Sequence, residues 1–262
     1  MNTIEEKKEA FERLLNIMDE LRVKCPWDKK QTFESLRTNT IEETYELADA
    51  IFKQDYKNIQ KELGDVLLHI VFYSKIASEL QLFDIKDVCD SLCDKLIFRH
   101  PHVFGTTSVE NSTEVETKWE DLKLKEKDGN KGTLSGVPDS LPALIKANRI
   151  QEKARNVGFD WEDRKDVWNK VKEEISEFEN EIENDNSKDM EAEFGDLMFS
   201  LINAARLYKI NPENALERTN QKFIKRFNYV ESKAKEQGKT LREMTLAEMD
   251  ELWNEAKNAN HT

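Results

Sequence analysis

Four carboxylates and one glycine occur twice in this chain, and every member of the second set lies 131 residues after its counterpart. Glu43, Glu46, Glu62 and Asp65 recur as Glu174, Glu177, Glu193 and Asp196, and Gly64 recurs as Gly195. An offset held across five positions restricts the chain to two copies of one structural unit. Each copy would take about half of the 262 residues, which suits an ordinary small domain.

The unit is expected to be helical. Eight glycines and five prolines are few for this length, and the chain is rich in Glu, Lys, Leu and Ala. No stretch reads as a strand, and no glycine-rich phosphate loop is present. The balance of 40 Lys+Arg against 53 Asp+Glu gives a formal net charge of −13, which disfavours a nucleic-acid partner. No apolar run approaches the ~20 residues that span a bilayer, so no membrane role is expected. Met1 to Glu6 has neither a basic nor an apolar signal region, and cytoplasmic location is the default. Cys25, Cys89 and Cys93 are too few for a disulfide framework; Cys89 and Cys93 read as small buried residues on one helix face.

Apolar spacing of three and four predicts helices over 5–21, from Thr32 or Thr38 through Phe52, over 56–80, and over 85–98. Leu63, Val66, Leu67, Ile70, Val71 and Ser74 should form the buried stripe of the third, with Glu62, Asp65 and His69 on its shoulder. Val88, Leu92 and Leu96 should face inward on the fourth, which Pro101 ends. A further amphipathic stretch covers 114–127. Three glycines and two prolines mark 128–142 as a linker, giving an N-terminal domain 1–128, a linker 129–142 and a C-terminal domain 143–262. The second half repeats the plan, with helices over 141–154, 167–182, 191–207, from Asn211-Pro212 to about 235, and 246–259.

On a helix, positions three apart share a face. Glu43 with Glu46, and Glu62 with Asp65, therefore present paired carboxylates, and packing of the two helices would bring the pairs together. Uncompensated, such a cluster repels itself. A hard divalent cation removes the repulsion, because Mg2+ takes oxygen ligands and keeps water and phosphate oxygens in its shell. A glycine inside each acidic helix costs about 1 kcal/mol against alanine, which suggests that a neighbouring helix or a ligand needs the space. Lys95 and Arg99 in the first half, and Lys222 and Arg226 in the second, are each four apart and suit a polyphosphate. Trp119 and Trp253 follow; each either stacks on a base or ribose or closes a core. A di-iron bundle is disfavoured, since no histidine has a glutamate three residues before it.

The ordered set of motifs resembles the two-domain MazG family. Cys25-Pro26-Trp27-Asp28, Glu42-Glu43-x-x-Glu46, Glu62-Leu63-Gly64-Asp65 and Arg99-His100-Pro101-His102-Val103-Phe104-Gly105 look like its first half. Val157-Gly158-Phe159-Asp160-Trp161, Glu173-Glu174-x-x-Glu177, Glu193-Phe194-Gly195-Asp196 and Lys222-x-x-x-Arg226 look like its second. The resemblance implies an all-α fold of two tandem MazG-like helical bundles and a homodimer. It implies a Mg2+-dependent hydrolase, with Mn2+ as the alternative ion, that cleaves nucleoside triphosphates to monophosphate and pyrophosphate. It assigns metal to Glu174, Glu177, Glu193 and Asp196, triphosphate to Lys222 and Arg226, and the nucleoside to Trp253. The first-half equivalents are Glu43, Glu46, Glu62, Asp65, Lys95, Arg99 and Trp119, and the second half is the expected catalytic unit. One departure stands out. The family often carries Glu-Glu before x-Gly-Asp, where this chain has Lys61-Glu62 and Ala192-Glu193. If the absent carboxylate is the base that activates water, Glu173 and Glu42 are the substitutes. The rival expectation is a non-catalytic helical dimer that binds nucleotide as a regulator.

Overall fold

The structure, a computed structural model, describes residues 1–105, 115, 122, 132–161, 163–184 and 186–259. Trp119, with most of the stretch 114–127, lies outside the described residues. The chain divides into two compact units, Met1–Val115 and Glu116–Thr262. Among the described residues there are helices and turns but no strand, and no helix is long and apolar enough to cross a membrane.

The first unit contains α1 (Ile4–Lys24), α2 (Phe33–Phe52), α3 (Tyr56–Glu79), α4 (Ile85–Arg99) and the single turn α5 (Pro101–Phe104). Short polar caps set the starts. Thr3 and Glu6 form a reciprocal box before α1, Thr32 accepts from the Ser35 amide before α2, and Asp55 and Asp84 cap α3 and α4. Thr32, rather than Thr38, therefore opens α2. Pro101 both closes α4 and occupies the first position of α5, where its missing N–H costs nothing. The helices α2 and α3 form a hairpin across a three-residue turn, and α1 packs on α3. Met18, Leu36, Val71, Phe72 and Ile76 form the core.

The buried arginine Arg22 ties this unit together. Its guanidinium donates to the Glu79 carboxylate and to the backbone oxygens of Asp28 and Gln31. One side chain thus joins α1, the turn after it and the end of α3.

The second unit contains α6 (Ala143–Asn156), α7 (Arg164–Glu183), α8 (Ser187–Leu207), α9 (Pro212–Glu236) and α10 (Leu246–Ala259). Asp163 caps α7, and Asn211 caps α9 ahead of Pro212. The α7–α8 hairpin is the counterpart of α2–α3, with Val167, Val171 and Ala204 at its core. A second core joins α9 to α10 through Val230, Ala234, Met244 and Leu252. Gly158, at φ 87°, takes a left-handed conformation that only glycine adopts without strain, and it turns the chain from α6 towards α7.

Several expectations drawn from periodicity are corrected. Cys89 and Cys93 are exposed, as is most of α4, where only Ile85, Val88 and Arg99 are half-buried. Leu92 and Leu96 of the expected inner stripe are also exposed. On α3, Val71 and Ser74 are buried, but Leu63, Leu67 and Ile70 face outward. Glu62 and His69, expected on the shoulder, are buried instead. A side chain added at Gly64 or Gly195 would meet nothing within 4 Å, so among the described residues no neighbouring helix occupies that space.

Candidate metal and nucleotide site

The hairpins bring the repeated carboxylates together. Oxygens of Glu43, Glu62 and Asp65 lie within 4.8 Å of one another, as do those of Glu174, Glu177 and Glu193. Glu62 and Glu174 are 2% and 5% exposed, an unusual depth for carboxylates. The two clusters are not identical: Glu46 falls outside the first group and Asp196 outside the second.

Two lysines explain the difference. Lys61 Nζ lies 2.9 Å from Glu62 Oε1 and 3.3 Å from Asp65 Oδ2, and so draws Asp65 towards the cluster. Its counterpart in the second copy is Ala192, which has no such hold on Asp196. In that unit the cation comes from the opposite helix. Lys170 Nζ lies 2.7 Å from Glu174 Oε1 and 2.9 Å from Glu173 Oε1. The carboxylate pairs raise the pKa of both lysines. Neither lysine was singled out as a site residue from sequence, although the four-residue spacings Lys61–Asp65 and Lys170–Glu174 carry the signal.

The electrostatics fit a hard divalent cation in each cluster. Desolvation, followed by the charges of Asp65, Glu46 and Glu62, pushes the Glu43 carboxyl up, with Lys61 opposing. Desolvation, followed by Glu177, Asp196, Glu174 and Glu181, does the same to Glu193. Glu62 Oε2 is buried without a hydrogen-bond partner. Such an oxygen is costly to leave unsatisfied, and a cation would satisfy it. The donors are all carboxylates, the set that suits Mg2+ rather than a softer ion.

Beside the second cluster lies a cavity of about 450 Å³. Ile150, Ala154, Phe159, Trp161, Phe199 and Leu134 give it apolar walls, while Lys170, Glu174 and Asp196 line its acidic end. Leu134 comes from the stretch read as linker. Asp160 and Arg206 also line the cavity and pair with each other, the guanidinium donating through Nη1 to Asp160 Oδ2 at 3.0 Å. That pair holds the turn around Gly158 in place. Sequence reading passed over Gln151, Asn203 and Arg206, because burial of polar groups leaves no periodic trace.

Two positions that line this cavity carry larger, buried side chains in the first unit. At the 131-residue offset, Ser200 and Asn203 correspond to His69 and Phe72, and the neighbouring core residue Ala204 to Tyr73. Phe72 belongs to the core, and Tyr73 packs against it. Thr40 Oγ1 lies 3.0 Å from His69 Nδ1 and 2.6 Å from the Tyr73 hydroxyl, which locks both rings. Burial pushes His69 below the usual imidazole range, against the pull of Asp65.

The cationic and aromatic candidates sit elsewhere. Lys222 is exposed on α9, and Arg226 is half-buried with its guanidinium 5.6 Å from the Trp253 ring centre. Arg226 Nε is buried without a partner. Trp253 packs against the α9–α10 core and the Phe223 ring, and neither it nor Arg226 lines the cavity. Lys95 is exposed on α4, with Arg99 one turn on. Glu42 and Glu173 are exposed and adjoin Glu43 and Glu174.

Helical hairpins that gather carboxylates, one of them beside a cavity, define an all-α protein whose acidic clusters could hold a divalent cation. The MazG nucleotide pyrophosphohydrolase domain matches residues 31–104 and 163–231, the two hairpins together with α4 and α5 in the first unit and most of α9 in the second. The nucleoside triphosphate pyrophosphohydrolase/pyrophosphatase MazG of Thermotoga maritima is 43% identical over 255 residues, covering 96% of this chain and 97% of that protein. The nucleoside triphosphate pyrophosphohydrolase of Escherichia coli K12 is also 43% identical over 255 residues, covering 94% and 97%. The protein YabN of Bacillus subtilis is 47% identical over 251 residues, which are 94% of this chain and 51% of that protein. The chain belongs to the MazG nucleotide pyrophosphohydrolase family.

Proposed function

We propose that the chain hydrolyses (d)NTPs to (d)NMPs and pyrophosphate, and that the second unit, residues 143–262 with Leu134 of the preceding segment, performs the reaction. The cavity beside the Glu174 cluster carries this reading, because the first unit has the larger, buried His69 and Phe72 where Ser200 and Asn203 line that cavity. Glu174, Glu177 and Glu193 would hold Mg2+, or Mn2+ in its stead, with Asp196 at the cavity side. A divalent cation bound there supplies charge neutralisation on the phosphates and a more acidic water.

The chain's own groups do the rest. Lys170, already bridging Glu173 and Glu174, holds these carboxylates and adds a positive charge at the phosphate end of the cavity. Glu173, exposed and tethered 2.9 Å from Lys170 Nζ, is the proposed acceptor of the water's proton. One P–O bond forms to water as the bridging P–O bond breaks, and pyrophosphate leaves. Arg226, with an unsatisfied buried N–H, and Lys222 four residues earlier are proposed to meet the polyphosphate. Trp253 remains the proposed nucleoside contact outside the cavity. In the first unit Glu43, Glu46, Glu62, Asp65, Lys95 and Arg99 are proposed to hold a cation and phosphate in a regulatory or structural role.

A homodimer is part of this reading. Exposed Leu63, Leu67 and Ile70 on α3, and Phe194 and Leu201 on α8, leave apolar surface that a second copy would cover. A cytoplasmic location suits three free thiols.

The test is pyrophosphate release from an NTP mixture, with and without Mg2+. Wild type should turn over, Glu174→Ala should fall to background, and Glu43→Ala should keep most of its activity. Chelation should abolish turnover, and added Mg2+ should restore it. Silence of the wild type with Mg2+ sinks the hydrolase, and loss through Glu43→Ala alone moves the reaction to the first unit.

A further inference from the structure

The two carboxylate clusters hold their lysines differently. In the first, Lys61 Nζ sits between Glu62 and Asp65, at 2.9 and 3.3 Å, and these are two of the three acids gathered there. In the second, Lys170 Nζ meets only Glu174 of the gathered set, at 2.7 Å, and its other partner is Glu173 outside it. Among the described residues no cation pairs with Glu177 or Glu193. At the 131-residue offset Lys61 corresponds to Ala192, whose methyl group carries no charge.

An ammonium between two carboxylates is a stand-in for a metal ion. Both are positive and both take the same oxygens, so they compete. A divalent cation entering the first cluster has to separate Lys61 from Glu62 and Asp65. The lysine cannot go far, since its backbone adjoins that of Glu62, and from nearby its charge repels the ion. Glu62 is 2% exposed, which keeps screening low at that end, while the Lys61 side chain is 61% exposed and well screened. The lysine also leaves the site incomplete. Glu62 Oε2 is buried without a hydrogen-bond partner, and Glu43 enters no ion pair among the described residues. An ion therefore still gains ligands by entering.

We propose that Lys61 is a built-in counter-ion of the first copy, which a divalent cation must displace. The second copy then loads first, and the first copy fills only when the cation concentration rises about tenfold further. This gives the regulatory role of the first unit a signal to read: its occupancy changes with cation level while the second copy stays full. The proposal rests on the reading that both clusters hold a divalent cation, and it adds the order in which they do so.

The experiment titrates the full chain with Mn2+ alone, reading bound ion by calorimetry and free ion by electron paramagnetic resonance. Wild type should show a tight and a weak class of site. Glu177→Gln should remove the tight class and Glu43→Gln the weak one, which assigns each to its copy. Lys61→Met should tighten the weak class about tenfold, while Lys61→Arg, which keeps the charge, should leave it weak. Ala192→Lys installs the missing lysine in the second copy and should loosen the tight class by a similar factor. Positions 61 and 192 are both exposed, so the fold tolerates these changes. A weak class that appears only in Lys61→Met also supports the proposal. Equal affinities in wild type, or a first copy unmoved by Lys61→Met, overturn it. Equal tightening by Lys61→Met and Lys61→Arg overturns it too, by removing charge as the cause. No uptake by wild type or Lys61→Met removes the metal reading together with the proposal. Two classes in the expected order without pyrophosphate release from NTPs support Lys61's role while removing the hydrolase reading.

Discussion

Single residues carry much of this fold's connectivity, and Arg22 is the clearest case. Its guanidinium serves Glu79 and two backbone oxygens from a position where water supplies no replacement. Arg22→Met should lower the stability of the first unit by about 2 kcal/mol, below the full cost of a buried pair because Glu79 is partly exposed. The hydrogen bond from Arg22 holds the Glu79 carboxyl below the usual carboxylate range. A carboxyl depressed in the folded state contributes stability above its unfolded pKa of about 4.3, and that contribution is lost as pH falls through the folded value. Glu79→Gln should therefore flatten the acid limb of a urea-midpoint profile below about pH 5 while leaving the slope near neutrality unchanged. Little of this was legible in the sequence. Gln151 sits in a polar run, Gln151-Glu152-Lys153, and Arg22 stands between Leu21 and Val23 at a helix end, where a charged side chain reads as a solvent face. The carboxylate spacing was legible, because three-residue spacing on a helix is local geometry and the repeat marked which pairs mattered.

At the scale of elements, α3 and α8 show how one backbone plan hosts two interiors. Both place Glu-x-Gly-Asp at the same position, and both pair with the preceding helix. Two turns later α3 carries His69, Phe72 and Tyr73 where α8 carries Ser200, Asn203 and Ala204. Phe72→Ala should cost about 3–5 kcal/mol by emptying a filled core, read from the thermal midpoint of the first unit. Asn203→Ala should cost about 1 kcal/mol, since Arg206 keeps its bonds to Asp160. Helix existence and most helix starts followed from caps and periodicity, as with Thr32 and the Asn211-Pro212 pair. The inward faces of α3 and α4 did not. A stripe of Leu63, Leu67 and Ile70 has helical spacing whether it meets its own unit or a surface elsewhere, and only packing decides.

The whole molecule is two units, each with its own core, on one chain. Calorimetry should resolve two thermal components, and Arg22→Met should lower only one of them. A single transition that moves as a whole would mean the units unfold together. Light scattering coupled to gel filtration should give twice the 30.7 kDa chain mass if a second copy covers the apolar faces of α3 and α8. The filled and open interiors also have a pharmacological consequence. A phosphate mimic that engages the carboxylate clusters through a shared cation would act on both copies. A flat heterocycle shaped to the apolar walls of the cavity would meet Ser200 and Asn203 in the second unit and the bulkier His69 and Phe72 at those positions in the first, so linking the two fragments would favour one of two twin sites on a single polypeptide.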